Sequence, residues 1–255
     1  MPAVKVERVN FSGHQGDELA ARLDRPQDIP LGYALFAHCF TCSKDFFAVT
    51  RISNTLAERG IAVLRFDFTG LGSSGGDFAN TNFSSNIADL VQAASFMEEH
   101  YQAPRLLIGH SLGGAAVLAA AEEIPEILAV ATISAPSDPA HVSHLFAKSI
   151  SELEEQGEIE VQLAGRSFRI QKQFLDDIAE HNLLQKVKSL RKALMIFHGP
   201  KDTIVGIEHA RHIFEAAKHP KSFVSLDDAD HLLSRKKDAI FVANVLAAWA
   251  ERYLT

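Results

Sequence analysis

From Tyr33 onward, short apolar runs alternate with longer segments of helical periodicity, and this alternation restricts the possible folds more than any other feature of the chain. Tyr33–His38, Ile61–Phe66, Arg105–Ile108, Ile127–Ile133, Leu194–Phe197 and Ser222–Leu226 are strand-length runs with little polar interruption. Strands buried on both faces read this way, whereas half-solvated strands alternate. Between the runs lie helical patterns at Phe46–Arg59, Ser85–His100, Leu112–Glu123, Glu208–Lys218 and Ala239–Tyr253. In Ser85–His100 the apolar stripe is Ile87, Leu90, Val91, Ala94 and Met97. Parallel strands need crossover helices, so the pattern predicts an α/β chain with a mostly parallel, doubly wound sheet and helices on both faces. Val4–Phe11 and Leu19–Leu23, joined across Gly13 and Gly16-Asp17, add a hairpin-like opening.

One segment breaks the alternation, between Ala135 and Leu184. Ser143–Glu155 reads as helix, and Glu158–Leu163 with Ser167–Gln171 flank Ala164-Gly165 as a hairpin. The segment is too small and too charged to hold its own core. Residues 1–255 are therefore expected to form one domain with a lid insertion over about 137–182. Leu145, Phe146, Phe168, Ile170 and Phe174 are its apolar candidates for contact with a substrate, with His141 and His144 nearby; Phe146, Phe168 and Phe174 are the chosen three. The alternative is that these side chains hold the insertion onto the sheet.

Composition removes several classes of function. With 32 Asp and Glu against 25 Lys and Arg the net charge is −7, a poor start for wrapping a phosphate backbone. The basic runs Arg191-Lys192 and Arg235-Lys236-Lys237 read as solvated helix ends, and no nucleic-acid partner is expected. No run approaches the roughly 18 apolar residues needed to cross a bilayer, and Met1-Pro2-Ala3-Val4-Lys5 lacks an apolar signal core. Two cysteines three positions apart cannot form a disulfide framework. A reducing, cytoplasmic setting without membrane attachment is the expectation.

Sheets of this kind place chemistry in the loops beyond the carboxyl ends of their strands. One such loop reads Gly109-His110-Ser111-Leu112-Gly113-Gly114, closing a strand and opening a helix. A G-x-S-x-G turn there is a nucleophile elbow: glycines permit a turn too tight for side chains, and the serine hydroxyl stands above the sheet on a strained backbone. Serine needs a base and an orienting carboxylate, expected in the order serine, acid, histidine. Asp202 follows Leu194–Phe197 and His231 follows Ser222–Leu226, at separations of 91 and 29 residues. Asp227, Asp228 and Asp230 are rivals for the acid but read as turn residues. The tetrahedral oxyanion needs two backbone donors; Leu112, after the nucleophile, and Phe40, in the loop after Tyr33–His38, are the candidates. His38 and His110 read as structural.

Two motifs point elsewhere. Gly70-Leu71-Gly72-Ser73-Ser74-Gly75 fits G-x-G-x-x-G, yet Asp77–Asn82 intervenes before any helix and no strand-end acid follows, as a dinucleotide site requires. Cys39-Phe40-Thr41-Cys42 has the strand-to-helix context of a redox dithiol, and is half a zinc site with no second cysteine pair. No metal or organic cofactor is expected.

With these residues in place the chain resembles the α/β-hydrolase superfamily over nearly its whole length. His38-Cys39-Phe40-Thr41-Cys42-Ser43-Lys44-Asp45 with Arg65-Phe66-Asp67-Phe68-Thr69-Gly70-Leu71-Gly72 resembles hydrolases often found fused to an OsmC-like domain. The resemblance implies an α/β-hydrolase fold, a Ser111–Asp202–His231 triad and oxyanion donors at Phe40 and Leu112. It departs at Cys39, where many members have glycine. It also implies either a free-standing hydrolase or the hydrolase half of a longer protein. The expected function is cleavage of small-molecule carboxylic esters of short to medium acyl chain by a monomer or homodimer. Thioesterase and acyltransferase readings use the same parts, and a thiol redox protein working through Cys39 and Cys42 is the alternative of another class.

Overall fold

A computed structural model describes residues 4–163 and 165–254; Met1-Pro2-Ala3 of the polar start, Ala164 of the expected hairpin turn and Thr255 lie outside the described residues. The central sheet has eight strands in the order β1-β2-β4-β3-β5-β6-β9-β10. These are β1 (Val4–Ser12), β2 (Glu18–Pro26), β3 (Gly32–Ala37), β4 (Ile61–Phe66), β5 (Leu106–His110), β6 (Ala129–Ile133), β9 (Ala193–His198) and β10 (Lys221–Ser225). The β1–β2 and β2–β4 pairs are antiparallel, and the remaining neighbours are parallel.

Burial explains the apolar runs. Every residue of β3, β4, β5, β6 and β9 is buried, because helices cover both faces. Strand alternation divides the core into two layers. Ala34, Phe36, Val63, Leu106 and Ile108 point to α1 (Phe47–Glu58) and α8 (Lys236–Leu254). Leu35, Ala37, Leu64, Leu107 and Ile196 point to α2 (Phe83–His100), α3 (Leu112–Ala120) and α7 (Ile207–Ala216). α2 starts at a capping box, in which Asn82 Oδ1 accepts the Ser85 amide and Ser85 Oγ accepts the Asn82 amide.

The chain between β6 and β9 leaves this pattern. Asp138 caps a 3-10 segment, Pro139–Ser149, followed by α4 (Ile150–Gln156) and an antiparallel two-stranded sheet of β7 (Glu158–Leu163) and β8 (Arg166–Gln171). Then come α5 (Lys172–Glu180) and α6 (Leu183–Ser189). The single helix expected at Ser143–Glu155 is broken: Phe146 has φ −130°, ψ 28°, and its ring is buried. Neither α5 nor α6 was expected, since segments of nine and seven residues barely show a period.

α3 meets the end of β3 at backbone distance. A Cβ on Gly113 would lie 2.3 Å from the His38 carbonyl oxygen and 2.5 Å from that of Ala37. Gly113→Ala is expected to cost about 3 kcal/mol of stability, the upper end for overpacking, seen as a lower urea midpoint at unchanged m-value. A midpoint equal to wild type would show that the two backbones separate freely.

Candidate active site

Ser111 occupies the turn from β5 into α3 with φ 56°, ψ −126°. This is a conformation that L-residues avoid. Its amide donates to the Ile133 carbonyl at 2.9 Å and its own carbonyl accepts the Gly114 amide at 2.8 Å, so both neighbours of the side chain are pinned. Gly109 is required beneath it, because a Cβ there would stand 2.3 Å from the Gly113 carbonyl oxygen.

The hydroxyl oxygen of Ser111 lies 3.0 Å from His231 Nε2, and His231 Nδ1 lies 2.8 Å from Asp202 Oδ2. With Nδ1–H donating to the carboxylate, Nε2 is left as an acceptor for the hydroxyl proton. Asp202 is in the loop after β9, where its Oδ1 accepts the Ile204 and Val205 amides at 2.9 Å each. Burial alone would raise its pKa. The hydrogen bond and charge of His231, together with the two amides, outweigh burial and hold the carboxyl below its usual range. The rival acids are engaged elsewhere: Asp228 is paired with Arg235 at 2.6 Å, Asp230 accepts the Ser234 amide at 2.9 Å, and Asp227 turns the chain at φ 49°.

Two buried histidines support these loops from below. His110 Nε2–H donates to the His231 carbonyl at 2.7 Å, and His198 Nε2–H donates to the Val205 carbonyl at 2.7 Å. Burial, and then the nearby His231, push His110 down to about 3; burial likewise lowers His198. Both rings therefore stay neutral and donate through one nitrogen.

Phe40 and Leu112 border the same cavity as Ser111. Among the described residues neither amide has a protein acceptor. The Phe40 loop is closed by a hydrogen bond from the Cys42 N–H to the Cys39 carbonyl at 3.0 Å and by a disulfide between Cys39 and Cys42, whose Cα atoms are 5.2 Å apart. Beneath it, fully buried Asp67 accepts the Lys44 amide and Nζ at 2.6 Å each and the Ser73 amide at 2.8 Å. A Cβ on Gly72 would fall 2.1 Å from Asp67 Oδ2. The glycine loop that imitates a dinucleotide motif thus wraps the chain's own carboxylate. His38 is buried, its Nδ1–H donates to the Cys39 carbonyl at 2.8 Å, and burial lowers its pKa.

A cavity of about 500 Å³ opens over Ser111. Phe46, Val142, Leu145, Leu163, Ile204 and Leu232 give it an apolar wall, and Arg166, His141 and His144 also border it. Phe146, Phe168 and Phe174, expected to contact substrate, are not among its lining residues. Their rings pack behind it with Phe40 and Phe78, at centroid separations of 5.3 Å for Phe40–Phe174 and 5.1 Å for Phe78–Phe168. Ile170 is buried with them, and only Leu145 of the five apolar candidates borders the cavity. Leu163 and Arg166 were missed, although they are directly paired across the hairpin and end the Ile159, Val161, Leu163 alternation visible in β7. His141 lies 4.4 Å from His144 and, edge-on, 4.5 Å from His209 between ring centres, and donates from Nε2 to the Ile204 carbonyl at 2.9 Å, tying the insertion to the Asp202 loop. Among the described residues no group of three or more His, Cys, Asp or Glu is placed to hold a metal ion. No described helix is long and apolar enough to cross a membrane.

The eight-stranded sheet with its strained serine beyond β5 has the α/β-hydrolase fold. The chain belongs to the hydrolase family described as serine aminopeptidase S33, which it matches over residues 35–186. It is similar to the esterase domain of a Rhodothermus marinus protein, at 55% identity and a TM-score of 0.81 over 98% of this chain and 100% of that one. It is 28% identical over 186 residues to the mitochondrial palmitoyl-protein thioesterase ABHD10 of Mus musculus, covering 70% of this chain but 62% of that protein's length. The putative esterase YitV of Bacillus subtilis (strain 168) is 25% identical over 272 residues, covering 98% of this chain and all of the relative.

Burial of neutral His110 makes the stability of the fold depend on pH. An ordinary histidine titrates near 6.5, so between pH 6.5 and 3 the unfolded chain binds a proton that the folded chain refuses. Stability therefore falls as pH drops through that window, by at most about 1.4 kcal/mol per pH unit for this residue. His110→Asn is expected to be less stable at pH 7 yet to show a shallower loss between pH 7 and pH 5 by urea denaturation. Equal slopes would contradict the assignment.

Proposed function

We propose that this chain hydrolyses carboxylic esters through a covalent acyl-enzyme on Ser111. The continuous contact from Ser111 Oγ through His231 to Asp202, at 3.0 and 2.8 Å, is the observation that carries the reading. As Oγ bonds to the substrate carbonyl carbon, its proton passes to His231 Nε2, and Asp202 stabilises the resulting imidazolium. The oxyanion forms beside the Phe40 and Leu112 amides, with the N-terminus of α3 adding its partial positive charge. Collapse of the tetrahedral species expels the alkoxide, which takes the proton back from His231. Water then attacks the acyl carbon and gives a proton to His231. As the second tetrahedral species collapses, the bond from the acyl carbon to Ser111 Oγ breaks, Oγ takes that proton from His231, and the acid is released.

The apolar wall of the cavity fits an acyl chain of short to medium length, and esterase relatives support the ester as the scissile group. Thioester cleavage is the second reading, favoured by the thioesterase named among the relatives. The same acyl-enzyme could pass its acyl group to another alcohol in place of water. The lid role falls to the segment between β6 and β9, which supplies Val142, Leu145 and Leu163 to the cavity.

A series of 4-nitrophenyl esters and matched acyl thioesters of graded chain length separates these readings. Wild type is expected to turn over the esters with an optimum at short to medium chains. Ser111→Ala is expected to lose about 10⁶ in kcat, and Asp202→Asn about 10⁴. Turnover retained by Ser111→Ala would overturn the mechanism. A large preference for thioesters at equal chain length would make the chain a thioesterase.

A further inference from the structure

We infer that Arg166 recognises a carboxylate or similar oxyanion on the substrate, so that the natural ester is anionic; this rests on the esterase reading above. Of the described residues that border the cavity, Arg166 alone carries a permanent charge, and none is acidic. The cavity is therefore an apolar chamber with a single fixed cation at its edge, inside a chain whose net charge is −7. A neutral lipid-like ester gains nothing from such a group, because its methylenes offer the guanidinium no acceptor.

Arg166 is exposed at the cavity's edge and has donors to spare. Arg166 Nη2 donates to the Thr41 carbonyl, and the group lies 5.4 Å from the ring centre of Phe168. A guanidinium has five N–H donors, and the one contact with Thr41 leaves the others free to meet an oxyanion. Among the described residues no carboxylate lies within ion-pair distance of Arg166. Three positions on in the same strand, Arg169 is instead paired with Asp77 at 2.5 Å. The contact with Thr41 places the charge against the loop that carries Phe40, next to where the scissile carbonyl would lie. Either half of the ester could present the anion there, and the two cases are separable.

The test uses two matched substrate pairs at low ionic strength. The acyl arm compares 4-nitrophenyl hexanoate with the 4-nitrophenyl monoester of adipic acid; the alcohol arm compares benzyl hexanoate with 4-carboxybenzyl hexanoate. The quantity read is the ratio of kcat/KM for the anionic over the neutral member. In wild type one arm is expected to give a ratio of about five, shrinking with added salt because the site is partly solvated. The ratio should fall to about one in Arg166→Ala, persist in part in Arg166→Lys and drop below one in Arg166→Glu. The arm that responds identifies the half bearing the anion. Ratios near one in both arms of wild type, or a ratio unchanged in Arg166→Ala, would overturn the inference. Calorimetric binding of the same four esters to Ser111→Ala, with and without Arg166→Ala, reads the charge without turnover. Anion preference there with no turnover in wild type would condemn the esterase reading alone; turnover without anion preference would condemn this inference alone.

Discussion

The backbone of Ser111, held at φ 56° and ψ −126°, is the constraint on which the rest of the site depends. Such a conformation costs about 1–3 kcal/mol and persists only where its surroundings leave no alternative. Here β6 takes the Ser111 amide through the Ile133 carbonyl, and α3 is drawn so close to β3 that only glycine fits at position 113. The same geometry brings the hydroxyl within 3.0 Å of His231 Nε2 and sets Leu112, the first residue of α3, at the border of the cavity. Packing of a buried helix on a buried sheet thereby fixes where the Ser111 hydroxyl stands.

The loops around Ser111 are held by polar groups buried under them. His110 grips the carbonyl of His231, His198 grips the carbonyl of Val205 beside Asp202, and the Lys44–Asp67 pair anchors the loop of Phe40. Each histidine leaves one ring nitrogen without a partner, and burial keeps both rings neutral. In a low dielectric these contacts are strong while complete and costly when halved. The proposed acyl transfer needs such a rigid main chain, since a donor displaced by an ångström would no longer meet an oxyanion.

Legibility followed the range of the interactions. The alternation of strands and helices, the elbow glycines and the order Ser111, Asp202, His231 are written in local spacing, and the structure brings these three side chains together. The insertion was harder to read. Phe146, Phe168 and Phe174 look like substrate contacts by composition, but which face of a short segment turns inward depends on its partners. Phe40 and Phe78 supply those partners from distant parts of the chain. Asp67 and Lys44 are 23 residues apart, and no local pattern reveals that a glycine loop encloses their contact. Arg166 is one charge among several in a polar hairpin by sequence; only the folded chain shows that it stands at the edge of an apolar cavity.

The most direct measurement is covalent labelling with a fluorophosphonate followed by peptide mapping. If Ser111 is the activated nucleophile, one equivalent of label attaches to the peptide containing Ser111, and His231→Ala, which retains the hydroxyl but not its base, labels far more slowly. Label on another residue, or labelling of Ser111 at the same rate without His231, would contradict the account.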